Sequence, residues 1–571
     1  MSIYRKFFMA DLKEMTLSND YGDYIYDYTT FSFLNNASGE YYNYQILSPR
    51  FFMLHLSNER FPLESQNNIY YSSIPALYTL TSTVSLEDTG IIQLASSPTL
   101  SLNGRGVLVG FLDTGINYAH PAFLDGQGRT RILRIWDQTV QTGTPPEGFV
   151  YGSEYTNTQI DEALSSDNPY SIVPSRDVSG HGTMLAGIAC GGVDRQATFS
   201  GAAPGSYLAV VKLKEAKQYL RDYYQFNPSE PAFQETDLMM AVRYLIKLTS
   251  ELNMPLVICI AVGTNQGSHN GSSPFDSMLD YLRSAPGFAM VCAGGNEVGQ
   301  QHHFSGKVRD EQSFEEVEIL VPQNSNGFSS EIWGTPPEIF SVGFVSPLGE
   351  VVERIPARLG QKQTISFILD RTVLFISYEL VETISGEQVI FIRFRNPTAG
   401  IWRVRVYCSN YITGQFNTWL PVSNMVVPDI SFLNSDPYMT IVNPGNTTQP
   451  ITCSTYDAYN DAIYLRSSRG FTPNGSIKPD LAAPGVSLTA PDLHEGYGSA
   501  TGSGMAAALT AGGCALILQW GLERNQLFNN SQIKTFLIRG AARTSQTFYP
   551  SREWGYGKLN VYNSFTVFLS T

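Results

Sequence analysis

Gly498-Ser-Ala-Thr-Gly-Ser-Gly-Met-Ala-Ala-Ala-Leu-Thr-Ala-Gly-Gly-Cys-Ala-Leu-Ile-Leu-Gln-Trp520 reads as a glycine-rich turn running straight into a helix. From Met505 onward nearly every residue is small or apolar, so the helix is expected to be enclosed on all sides rather than amphipathic. A turn delivering its last residues to the N-terminus of such a helix gathers free backbone N–H groups and the positive end of the helix dipole. Such a point suits a nucleophile and an oxyanion.

Two earlier blocks belong with it. Gly106-Val-Leu-Val-Gly-Phe-Leu-Asp-Thr-Gly-Ile116 is a continuous apolar strand of the parallel-sheet kind that ends on an aspartate and a turn. An acid at the carboxyl end of a buried parallel strand points into the crevice where α/β proteins bind ligands. Alone, Asp-Thr-Gly is a weak signal, because a bare strand-end aspartate is more often a turn former. Downstream, Asp177-Val-Ser-Gly-His-Gly-Thr-Met-Leu-Ala-Gly-Ile188 places a histidine between two glycines at the start of another small-residue helix. Glycines there let the imidazole approach its neighbours closely.

Together the three blocks resemble the subtilisin-like serine proteases (subtilases). Their serine block, Gly-Thr-Ser-Met-Ala-Ala-Pro, is matched by Gly502, Ser503, Gly504, Met505, Ala506, Ala507 and Ala508. The order Asp, His, Ser is the subtilisin order of a triad that recurs on unrelated folds. The resemblance implies that Asp113 and His181 are catalytic and that Gly504 stands where the nucleophilic serine belongs. Further matches imply further roles: Ala261, Val262 and Gly263 as the substrate-binding strand edge, and Asn296 in Val291-Cys-Ala-Gly-Gly-Asn-Glu297 as oxyanion donor. Gly201–Lys212 and Lys478–Val486 match two other family stretches.

The bulk composition agrees with a buried globular protein. Of 571 residues, 43% are hydrophobic and 15% charged, and the length suggests roughly three or four domains. A net charge of −14 argues against nucleic acid or anionic membrane as partner. Six cysteines without any Cys-x-x-Cys read as buried thiols, and neither metal nor cofactor is expected. His302-His303 has no carboxylate or thiol spacing that would support a metal. The N-terminus meets Asp11 before an apolar region of useful length, so no secretion signal is expected there. No apolar run is expected to reach the roughly 18 residues of a membrane span.

Residues 1–84 hold strand candidates at Asn43–Leu47 and Phe51–Leu56. In subtilases this slot is a prodomain whose tail lies along the cleft, and Leu77, Tyr78, Thr79 and Leu80 would suit that tail. The segment 297–503 is longer than the family core needs. Within it lie alternating strands such as Phe314–Val321, Gln363–Leu369, Val389–Arg395 and Trp402–Tyr407, in which Trp402, Val404 and Val406 face one way and Arg403 and Arg405 the other. Several short strands with turns between them imply a β-sandwich, read as a jelly roll. The expected fold is α/β: a subtilisin-like parallel sheet core with an N-terminal α+β prodomain and an inserted all-β sandwich. The boundaries are 1–84 prodomain, 85–309 first part of the subtilase domain, 310–440 sandwich, and 441–571 second part with the serine block.

This arrangement, with Thr264–Asn270 and the Asn296 to His303 segment, resembles the Csp germination proteases of spore-forming Clostridia. That resemblance implies residence in the spore and a part in cortex hydrolysis. The implied partners are the chain's own prodomain, other spore germination proteins or a cortex-hydrolase zymogen, and a small-molecule germinant. With Gly504 there is nothing for His181 to activate, and loss of the nucleophile costs about 10⁶-fold in kcat. Ser503 is offset by one residue, about 100° around the helix, away from the imidazole. The chain therefore reads as a pseudoprotease in germinant signalling, with its prodomain left attached. The alternative is a serine endopeptidase, inactivated at position 504, that processes a zymogen and its own prodomain.

Overall fold

The computed structural model describes residues 12–29, 43–59, 61–63, 69–84, 102–227 and 229–569. Residues 1–11, on which the reading of the N-terminus rests, lie outside them.

Continuous apolar strands demand cover on both faces, and they receive it. Ile451–Asp457, Phe288–Ala293, Leu256–Ile260, Leu108–Asp113, Tyr207–Lys212 and Ile132–Asp137 lie side by side in parallel, with Leu481–Pro484 also parallel to Ile451–Asp457. Antiparallel Ala462–Ile463 and Ser153–Thr156 close the two ends. One face packs on the helices His181–Cys190 and Ser503–Leu522, and the other on the helices Glu235–Leu252 and Pro274–Tyr281.

Ser503–Leu522 corrects one sequence expectation. By length and composition it could cross a membrane, yet 94% of its most apolar stretch is buried inside the fold. Small residues let strands and a second helix press on it from every side, so its apolarity serves the core.

In the N-terminal unit, Tyr21–Asp27 and Tyr44–Ile46 flank Phe51–Ser57 in an antiparallel sheet. Ile25, Phe51 and Met53 of that sheet join the apolar cluster of the helix Glu235–Leu252. The sandwich comprises a six-stranded and a five-stranded antiparallel sheet, with strands from His303–Lys307 to Ser431–Phe432. Trp402, Val404 and Val406 are buried between the sheets, while Arg403 and Arg405 pair with Glu316 and Glu318 outside. All six cysteines are free and buried.

Candidate active site

Asp113 closes its strand at the carboxyl edge of the sheet and is fully buried. Its Oδ1 accepts the backbone N–H of Thr114 at 2.8 Å and the Nδ1–H of His181, also at 2.8 Å. His181 is the first residue of its helix. Asp177 supports that helix start, its Oδ1 accepting from Gly180 N at 2.9 Å and its Oδ2 from Thr183 N at 2.9 Å. Gly180 takes the left-handed φ of 83° that leads into the helix. A Cβ on Gly182 would collide with the carbonyl oxygen of Gly115, so only glycine lets the histidine helix sit on the Asp-Thr-Gly turn.

Burial opposes charging of His181, but the Asp113 carboxylate, by its field and its hydrogen bond, and Asp177 behind it raise the imidazole pKa above its ordinary value. The Nε2 of His181 is buried and has no hydrogen-bond partner among the described residues. In a triad that atom would take the proton of the nucleophile.

Gly504 is the second residue of the helix Ser503–Leu522 and is buried. The neighbouring Ser503 hydroxyl is engaged elsewhere: it donates to the Thr81 carbonyl at 3.3 Å and accepts from Gly295 N at 3.0 Å. Asn296 joins the same group. Its Oδ1 accepts from Ser503 N at 3.1 Å, and its Nδ2 donates to the Thr81 carbonyl.

Leu77–Leu80 lies in the cleft as an inserted strand. It runs antiparallel to Phe233–Gln234 on one side and to Val262–Gly263 on the other, with Tyr78 opposite Phe233 and Thr79 opposite Gly263. Thr81 N–H donates to Ala261 O at 3.2 Å and its hydroxyl to the same oxygen at 2.6 Å. Leu77 and Tyr78 are fully buried, the Tyr78 ring lying edge-on to Phe275 at 5.9 Å. Beyond Thr81 the chain continues as Ser82–Val84, paired antiparallel with Tyr497–Gly502. The Thr81–Ser82 peptide therefore lies against Asn296 and the start of the Ser503 helix.

The structure thus brings Asp113, His181, Asn296, Ala261–Gly263, Leu77–Leu80 and the start of the Gly504 helix to one place. Sequence reasoning missed Thr81 and the flanking strand Phe233–Gln234, which is two residues long and carries no periodicity to find. It also missed the partners of His302. The His302 Nδ1–H donates to Glu297 Oε2 at 2.6 Å, and Nε2 lies 3.3 Å from Asp429 Oδ1, so the ring joins the Asn296–Glu297 loop to the sandwich edge. Among the described residues no group of three His, Cys, Asp or Glu is placed to hold a metal ion.

An extended segment held between two strands, its carbonyl on an asparagine amide and an Asp–His pair alongside, is how a peptide is presented to a serine-type endopeptidase. Fold and site define that class. The chain belongs to the subtilase family, whose model matches residues 104–350 and 429–557 and leaves out most of the sandwich. It is similar to the solved structure of the Clostridium perfringens CspB protease, with 31% identity, a TM-score of 0.73, and coverage of 83% of this chain and 97% of that one. It is also similar to the minor extracellular protease Vpr of Bacillus subtilis (strain 168), 21% identical over 489 residues, or 81% of this chain. The chain spans 52% of the length of Vpr.

Proposed function

We propose that this subtilase-fold relative of CspB is a pseudoprotease that works by binding. One observation carries the reading: the Asp113–His181 pair ends in a buried Nε2 without a partner, while position 504 has no hydroxyl and that of Ser503 is bonded to Thr81 and Gly295. The uncut tail is then a permanent intramolecular ligand of the cleft. By its likeness to CspB, the chain resides in the spore and regulates cortex hydrolysis. Its partners there are other germination proteins or a cortex-hydrolase zymogen, with a small-molecule germinant as signal.

A serine endopeptidase is the second reading, favoured by the Asn296 contact with the Thr81 carbonyl, which keeps the oxyanion side of the machinery in place. Intact-mass spectrometry of the purified wild-type chain after long incubation separates the two. A single species at 63.1 kDa is expected. Two fragments split at Thr81–Ser82 would overturn the pseudoprotease reading in favour of the endopeptidase.

A further inference from the structure

We propose that the segment Tyr71–Leu77, which leads into the cleft strand, is held by a pH-sensitive clasp of three carboxylates, Glu331 and Glu379 from the sandwich and Glu235 from the subtilase core. All three meet the same short run of chain. Glu379 Oε2 accepts from Tyr71 N at 2.8 Å, and Glu235 Oε2 accepts from Ala76 N at 3.1 Å. Glu331 reaches the Tyr71 side chain: the Gly267 N–H lies 2.9 Å from both and sets the Tyr71 hydroxyl beside Glu331 Oε2. Neutral contacts complete the grip. Ser72 Oγ lies 2.8 Å from Thr383 Oγ1, Leu77 N donates to Gln266 Oε1 at 2.8 Å, and the Tyr71 ring stands edge-on to Trp333 at 5.5 Å.

Carboxyl groups placed in this way are poorly served as ions. Glu235 and Glu331 are 2% and 3% exposed, and no cation stands beside either among the described residues. Glu331 Oε1 and Glu379 Oε1 are buried without a hydrogen-bond partner, a place that suits a proton better than a charge.

The groups around them do not reverse this. Glu331 faces Tyr71, Tyr224, Trp333 and the Gly267 amide. Glu235 faces Asp276, Tyr78 and Tyr224, and Glu379 faces Lys362 and Glu382. Burial is the largest influence on each carboxyl and outweighs the hydrogen bonds and Lys362, pushing all three up to about 7.

Once the segment is released, each carboxyl returns to its ordinary value of 4.5. The folded value lies above the released one, so the grip is at full strength below about pH 4.5 and is lost as pH rises through 7. Each carboxylate then raises the released fraction on the order of 10²-fold. Release would free the groove between Phe233–Gln234 and Val262–Gly263. The clasp lies ahead of the Thr81–Ser82 bond, so it acts alike in a whole and a cut chain, whatever residue stands at position 504.

Hydrogen exchange of the full chain from pH 5 to pH 8, read by mass spectrometry and corrected for the intrinsic rate at each pH, tests the clasp. Protection of Tyr71–Leu77 should fall at least tenfold over that range, while that of the mid-sheet strand Leu108–Asp113 holds. Glu331→Gln, Glu379→Gln and Glu235→Gln keep a carbonyl acceptor and cannot ionise. Each alone should flatten part of the fall, and the three together should keep the pH 5 protection at pH 8. A wild-type segment equally protected at both ends, a fall of equal size in wild type and variants, or a fall shared by Leu108–Asp113 overturns the clasp. The intact mass of the same samples reports separately on cleavage at Thr81–Ser82, which bears on the proposed function and leaves the clasp standing.

Discussion

The side-chain amide of Asn296 donates to the carbonyl oxygen of Thr81, the residue that follows the inserted tail strand. A peptide carbonyl held on that amide is where charge would develop if the bond to Ser82 were attacked. The same oxygen receives the Ser503 hydroxyl at 3.3 Å, so the group that could have been a spare nucleophile acts as a second donor. The cleft thus holds the Thr81 carbonyl on two donors beside a position 504 that carries no hydroxyl.

Restoring the nucleophile should restart the chemistry. Gly504→Ser is expected to yield a product whose N-terminus is Ser82, read by N-terminal sequencing, and adding His181→Ala should abolish it. A Gly504→Ser chain that stays whole would mean that the site has decayed beyond the missing hydroxyl.

If Asn296 acts as oxyanion donor, removing it in the Gly504→Ser background should slow self-processing by about 10²–10³-fold. A gel time course of single-turnover cleavage measures this. An unchanged rate would reduce Asn296 to a structural contact with the tail.

The N-terminal unit is anchored by a buried charge. Asp23 Oδ1 sits 2.7 Å from both Lys217 Nζ and His55 Nδ1, and Oδ2 accepts from Gln234 Nε2 at 2.7 Å. Burial pushes the Asp23 pKa up, but Lys217 and then His55 outweigh it and hold the carboxyl well below its usual range. Asp23→Ala would leave Lys217 with only the carbonyls of Met15 and Tyr21, at a cost of about 3–5 kcal/mol. Urea unfolding should show that loss, and adding Lys217→Met should recover much of it.

The His302 bridge makes stability depend on pH. Burial lowers its pKa, but Glu297 and Asp429 outweigh this and raise it to about 9. The folded value lies above the unfolded one, near 6.5, so this contribution is fully present below about pH 6.5 and is lost as pH rises through 9. The loss amounts to about 3 kcal/mol at most. Tm measured from pH 6 to pH 9.5 should fall more steeply in wild type than in His302→Gln; parallel curves would count against the bridge.

Much of the fold was readable because it is written in local period. Leu108–Asp113 is apolar up to its closing aspartate and lies in mid-sheet, and Trp402 to Val406 alternates and forms one wall of the sandwich. The His181 and Ser503 helices announce themselves by small residues that only a crowded core requires. Thr81 and Phe233–Gln234 left no such mark. A two-residue strand has no period, and its place depends on which segment it meets.

The amino-acid order by itself determined the class of fold, the positions of Asp113, His181 and Asn296, and the absence of a hydroxyl at position 504, because these are properties of residue type and short-range pattern. Only the tertiary structure decided where the Ser503 hydroxyl points, that the Thr81–Ser82 bond lies against Asn296, and that His302 joins the Asn296–Glu297 loop to the sandwich. Each of these depends on chain segments distant in sequence meeting at hydrogen-bonding distance, and such a meeting is set by packing of the whole core.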